Sequence, residues 1–204
     1  MMGQRRRQAK PLKRITESRP ELRTIVVFCE GQNSEPDYIR GLMKLPEVVG
    51  DTSLNLELHP EQGVPLTLVQ MAAARLEDPE VDECWCLFDV EWPQNHPKLK
   101  QARELARVKR VGLAISNPCF ELWLILHHRS LTKFVDTATA ERLSRELDGR
   151  SGKSIDAQVY MPLRRQAARR SEALERRHLD NATLFPDDNP SSGMHHLLRA
   201  IERK

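Results

Sequence analysis

Acidic side chains that stand directly after apolar runs are the residues of this sequence best suited to chemistry. Glu30 follows Cys29, and Asp89 follows Phe88 with Glu91 two positions on. Ser116-Asn117 closes a third apolar run, and Glu121 comes one helical turn later. Carboxylates gathered at one place repel each other unless a cation neutralises them. Mg²⁺ suits such a place, because it takes one or two carboxylates and completes its octahedron with water and phosphate oxygens. An ion held there polarises a phosphoryl oxygen, activates water and stabilises a leaving oxygen. No Gly-x-Ser-x-Gly elbow and no paired His/Cys metal spacing competes with this set. Gly149 to Ser154 (Gly-Arg-Ser-Gly-Lys-Ser) lacks the preceding apolar strand and the full glycine spacing of a phosphate-binding loop. It reads as a hydrophilic loop.

The elements that must position these residues follow from hydrophobic periodicity. Leu22 to Cys29 is a continuous, β-branched-rich run, as in a strand buried on both faces. Gly31 then allows a tight turn, and Ser34-Glu35-Pro36 opens a helix that Ser34 is placed to cap. Ser53 to His59 alternates like a half-buried strand, and Pro65 to Leu76 has helical spacing. Cys84 to Phe88 is a third strand, His96 to Val108 a polar-faced helix, and Val111 to Ile115 a fourth strand. Pro118 is expected to start an apolar helix through Leu126. Alternation of this kind predicts an α/β fold with a mostly parallel sheet covered by helices on both faces. In open parallel sheets ligands sit beyond the carboxyl ends of the strands, the rim where these acidic residues fall.

From Thr137 the character changes. Ala138 to Leu147, Pro162 to His178 and Met194 to Ile201 predict a C-terminal helical cap, with a turn cluster at Asp187 to Ser192. The division expected is a basic arm over 1–20, an α/β core over 21–135 and the helical part over 136–204 packed on that core.

Three stretches carry a family likeness. Val26-Val27-Phe28-Cys29-Glu30-Gly31 with Ser34-Glu35-Pro36-Asp37-Tyr38 resembles the opening motif of the RloB family, associated with bacterial phage-defence and restriction loci. Ser116-Asn117-Pro118-Cys119-Phe120-Glu121-Leu122-Trp123-Leu124, ending in His127, is similar to its central motif, and Asn189-Pro190-Ser191-Ser192 to its last. The resemblance implies a Toprim-like fold, in which a glutamate after the first strand serves acid/base chemistry or metal coordination and an Asp-x-Asp pair holds Mg²⁺. Carried over by position, Glu30 matches the glutamate and Asp89 the first aspartate, while Glu91 replaces the second. Glu30, Asp89 and Glu91 are thus the expected catalytic and metal-binding residues, for Mg²⁺ or Mn²⁺. The function implied is a nuclease acting on RNA, tRNA included, or on DNA, as an effector of anti-phage defence and abortive infection beside a partner ATPase. Two alternatives stand: a catalytically weak module binding nucleic acid or that partner, and a phosphotransfer on a nucleotide.

Further candidates for substrate contact are Glu35, Asn117, Glu121, Arg165, Arg169 and Asn189. Glu35 also suits the positive end of its helix, and Glu121 is a carboxylate in an otherwise apolar helix, costly unless partnered. Arg164, Arg165, Arg169, Arg170, Arg176 and Arg177 fall within fourteen residues, several on one helical face: a solvated surface or a phosphate-contacting one. Asn189, Ser191 and Ser192 read as caps of the last helix, with His195 and His196 in its first turn. His127 and His128 close the apolar helix, where a cation is welcome.

The net charge of +3 is uneven. Residues 1–23 carry a balance of +6 and the other 181 sum to −3. A basic arm beside an acidic body suits a polyanion, or is simply a solvated tail; composition leaves both open. Cys29, Cys84, Cys86 and Cys119 lie in apolar runs, as reduced thiols do, and Cys84 and Cys86 share one strand face. The first residues are basic without an apolar stretch after them, and no apolar run approaches bilayer length. A cytoplasmic protein without membrane contact is expected; a homodimer is left open.

Overall fold

In the computed structural model, residues 22–203 are described, so the basic arm read in 1–20 lies outside them. Strand β1 (Arg23–Cys29) leads into helix α1 (Ser34–Met43), the short α2 (Pro46–Val49), and β2 (Leu54–Leu58). Helix α3 (Pro65–Arg75), β3 (Glu83–Asp89), α4 (Leu99–Lys109) and β4 (Gly112–Asn117) continue the alternation. Helices α5 (Glu121–His128), α6 (Thr137–Asp148), α7 (Ala157–Tyr160) and α8 (Arg164–Asp180) follow, with a single 3₁₀ turn at Met161–Leu163. A two-residue strand β5 (Ser191–Ser192) and α9 (Met194–Ile201) close the chain.

The sheet order is β2-β1-β3-β4-β5, parallel throughout except for β5, which runs antiparallel to β4. Pleat alternation splits the core into two layers. Ile25, Val27, Cys29 and Leu87 face Tyr38, Trp123, Leu197 and Leu198 on the side covered by α1, α5, α8 and α9. Val26, Phe28, Cys84, Cys86 and Phe88 face Leu68, Ala72, Leu99 and Ala102 of α3 and α4. The expected mostly parallel α/β sheet with a C-terminal helical part is therefore present, and it is consistent with a Toprim-like arrangement. All four cysteines are buried and unpaired. Among the described residues no helix is long and apolar enough to cross a membrane.

Several local expectations are corrected. Pro118 does not start α5: the Asn117-Pro118 peptide is cis, and the helix begins at Glu121. Ser34 is the first helical residue rather than the cap, and its hydroxyl donates instead to the Lys153 carbonyl at 2.7 Å. His96 is not helical: Trp92 to Pro97 forms a bent loop in which the His96 N–H returns to the Val90 carbonyl at 3.0 Å, and α4 starts at Leu99. The stretch read as a turn before α9 contains β5, and Gly193 occupies the N-cap.

His127 is buried and neutral rather than a cation at the helix end. Its Nδ1 lies 2.9 Å from the Trp123 carbonyl, which only accepts, so Nδ1 carries the proton and Nε2 accepts from the Tyr38 hydroxyl at 3.1 Å. Burial lowers its pKa to about 3. The cation at the end of α5 is supplied by Arg170, which donates to the carbonyls of Leu126 and His127 at 2.6 and 2.8 Å.

Candidate active site

Strand order decides where the site lies. From β1 the chain moves outward to β2 and then returns to the other side of β1 for β3, which leaves a switch point between β1 and β3. Loops leaving the carboxyl ends of these two strands diverge there and open a crevice. Glu30 stands directly after β1, and Asp89 is the last residue of β3. The Asp89 backbone N–H donates to Glu30 Oε2 at 3.1 Å, closing the base of the crevice.

Above that base is a cavity of about 330 Å³ lined by Glu30, Glu35, Asp89, Glu91, Glu121 and Glu141, with Thr137, Cys119 and Lys153 also in its wall. Each carboxylate arrives by a different route. Glu35 lies in the first turn of α1, buried, and accepts the Gly31 backbone N–H at 3.2 Å. Gly31 is needed for that approach, because a Cβ there would collide with the Glu35 carboxylate. Glu121 opens α5, 3.4 Å from the Ser34 hydroxyl, with Arg150 3.7 Å behind it. Arg150 is itself held by Asp148 at 2.5 Å, and Asp148 also accepts from Tyr160. Glu91 has a left-handed backbone (φ 64°), unusual for a residue with a Cβ, and its N–H donates to the Pro118 carbonyl at 2.8 Å.

Burial first, and like charge after it, raises the carboxyls of this group. Burial, followed by the charges of Glu35, Glu121 and Glu30, pushes the Asp89 carboxyl well above the usual range. Burial raises Glu35 to about 7, with Glu121 and Glu30 adding to the rise. Glu30 is also raised by burial, held back by the Asp89 N–H and by His96. Burial and the neighbouring Asp89 push up the Cys119 thiol, so it stays protonated. The donor set is all carboxylate oxygen, which fits a hard divalent cation such as Mg²⁺ or Mn²⁺ and relieves the repulsion.

Glu30, Glu35, Asp89, Glu91 and Glu121 are thus brought together. Four other candidates are not. Asn117 donates its amide to the Pro186 carbonyl and Asp188, at 2.8 and 2.9 Å. Asn189 clamps Val135, accepting its N–H and donating to its carbonyl. Arg165 is exposed beside Glu202, and Arg169 lines a separate cavity of about 320 Å³ between α5 and α8. Of the other arginines of α8, Arg164, Arg170 and Arg177 are engaged with Glu47, with the end of α5 and with Thr132.

Three residues escape a reading of the sequence, two in the cavity wall and one against Glu30. His96 Nε2 lies 2.6 Å from Glu30 Oε1, because the loop after β3 folds back on the site; Pro93 and Pro97 were the signal that this stretch is not helix. Glu141 looks like one half of an ordinary helical ion pair with Arg145, which it also is, at 2.7 Å. Lys153 belongs to the hydrophilic loop, which wraps the cavity mouth.

A mostly parallel sheet with carboxylates gathered at its switch point defines the class, an α/β protein with an acidic crevice at one rim of the sheet. The chain belongs to the RloB family: residues 25–201 match the family described as RloB-like protein. No curated protein and no solved structure matches it.

Proposed function

We propose that this chain is a divalent-metal-dependent nuclease of Toprim type, cleaving phosphodiester bonds in RNA or DNA. The single observation that carries the reading is the convergence of Glu30, Asp89 and Glu91 on one cavity at the switch point, with Glu35 and Glu121 alongside. Asp89 and Glu91 would hold the metal, with Glu30 sharing it or orienting the attacking water. Bound there, Mg²⁺ or Mn²⁺ supplies the positive charge that draws a phosphate in and stabilises charge on its oxygens. Glu30 is the residue poised to move a proton: it is half-buried, its carboxylate is oriented by the Asp89 N–H, and His96 touches its other oxygen. The buried wall of Phe120 and Cys119 keeps water from the inner side.

Nucleic acid as the substrate class is supported by the rim. Trp92 and Phe134 are about half exposed and meet edge to face at 5.4 Å. The Trp92 backbone N–H donates to the Thr137 hydroxyl of the cavity wall at 3.0 Å, which sets the pair beside the cavity. Exposed aromatic faces of this kind stack unpaired bases. A role in anti-phage defence beside a partner ATPase rests on the family resemblance alone.

The second reading, a catalytically weak binding module, is favoured by Glu91. Its side chain is about half exposed, and it stands in a left-handed conformation where the family pattern has aspartate. Labelled tRNA, single-stranded DNA and duplex DNA incubated with Mg²⁺, Mn²⁺ or chelator separate the two. Metal-dependent cleavage lost in Asp89→Asn and Glu30→Gln supports the nuclease. Binding without cleavage, even with the partner ATPase added, supports the module.

A further inference from the structure

A second cluster of ligating side chains lies away from the acidic cavity, where α8 meets α9. Glu175, His195 and His196 bring one ligand atom each to within 4.8 Å of one another. Glu175 Oε2 is 3.1 Å from His195 Nε2, and Glu175 Oε1 is 2.9 Å from His196 Nε2. Ligand atoms around a tetrahedral ion bound at about 2.0–2.1 Å stand roughly 3.3 Å apart. The side chains therefore already have nearly the spacing of a coordination shell.

The proton positions argue in the same direction. His195 is buried, and its Nδ1 lies 3.1 Å from the Ser192 carbonyl and 2.9 Å from the Ser171 hydroxyl. The Ser171 hydroxyl is itself in close contact with the Ser192 carbonyl, to which it donates. Nδ1 must then carry the ring proton, since a carbonyl can only accept. That leaves Nε2 facing a carboxylate oxygen at 3.1 Å, a contact that a metal ion between them relieves, as a second ring proton also would. A carbonyl or hydroxyl fixing the far nitrogen is the usual support of a metal-bound histidine.

We propose that Glu175, His195 and His196 form a Zn²⁺ site that ties α9 to α8, its fourth position open to solvent. Two imidazoles and one carboxylate suit Zn²⁺ and its borderline neighbours, not Mg²⁺. Glu175 and His196 also line a cavity of about 280 Å³, which gives water or a small anionic ligand access to the remaining position. The residues are separate from those of the acidic cavity, so the site stands or falls independently of the nuclease reading.

Full-length protein stripped with chelator and titrated with Zn²⁺ tests it. To keep the acidic cavity from contributing, the titration is run in parallel on Asp89→Asn. One equivalent is expected to bind in both, and Co²⁺ in place of Zn²⁺ is expected to give the visible absorption of a nitrogen-ligated tetrahedral ion. His196→Asn and Glu175→Gln, both at partly exposed positions, are expected to abolish that absorption while far-UV circular dichroism is unchanged. Ser171→Ala, a change in a positioning residue, is expected to weaken binding by about ten- to a hundredfold. No stoichiometric uptake by the wild-type chain, or uptake and absorption unchanged in His196→Asn and Glu175→Gln, overturns the proposal.

Discussion

The backbone N–H of Asp89 donates to Glu30 Oε2 across 3.1 Å, linking two residues 59 positions apart at the ends of neighbouring strands. Glu30 is therefore both a member of the acidic group and part of what holds it in place. Glu30→Gln keeps an acceptor for that N–H but removes the charge. Metal-dependent cleavage should fall by about a hundredfold or more, the range for loss of a positioned acid/base group, with little change in melting temperature. Gel-based cleavage and a thermal melt on the same preparation check both halves.

Gly31 carries a different prediction. An added Cβ would collide with the Glu35 carboxylate, the end of a flexible side chain that would have to shift within the cavity it lines. Gly31→Ala should displace Glu35 and weaken Mg²⁺ binding, measured by calorimetric titration. Gly63→Ala, ahead of α3 and outside the cavity wall, where an added Cβ meets only the Thr67 and Leu68 side chains, should leave Mg²⁺ binding unchanged and serves as the comparison.

Glu91 should separate stability from function. Asparagine tolerates the left-handed conformation better than glutamate does, so Glu91→Asn should raise unfolding stability by about 1 kcal/mol. The same change removes a carboxylate from the cavity and should lower Mg²⁺ affinity. Chemical denaturation paired with the titration would show the two moving in opposite directions; a joint fall would remove Glu91 from the site.

The metal-free protein should lose stability as pH rises through the acidic cavity's titration. Glu35 titrates near 7 in the fold against an ordinary value of 4.5, so between these values the folded state binds more protons than the unfolded one. Its contribution is complete below about pH 4.5 and is lost as pH passes 7, a difference on the order of 3 kcal/mol. Asp89, also raised, acts in the same sense. Melts with chelator should show this slope, Glu35→Gln should flatten it, and Mg²⁺ at pH 8 should restore the stability lost.

His127 works with the opposite sign. Its folded pKa of about 3 lies below the ordinary 6.5, so its stabilisation is present above 6.5 and is lost as pH falls toward 3. Tyr38→Phe leaves Nε2 without its donor in a buried setting and should cost about 1–3 kcal/mol at neutral pH, read by chemical denaturation.

The order of strands and helices, the two-faced burial of β1 and β3, and the placement of Glu30 and Asp89 at strand ends were all legible in the residues. Each depends on local periodicity, which a chain displays before it folds. Glu35 and Glu121 could be placed near the rim for the same reason, since each opens the helix that follows a strand. Tertiary structure alone decided that β1 and β3 are neighbours with the switch point between them, because strand order depends on which faces pack. It alone folded His96 back onto Glu30, brought Glu141 and Lys153 from the helical part to the cavity, and turned the Asn117 and Asn189 amides toward distant backbone. Those outcomes depend on contacts between residues far apart in the chain, where spacing in sequence carries no information about direction in space.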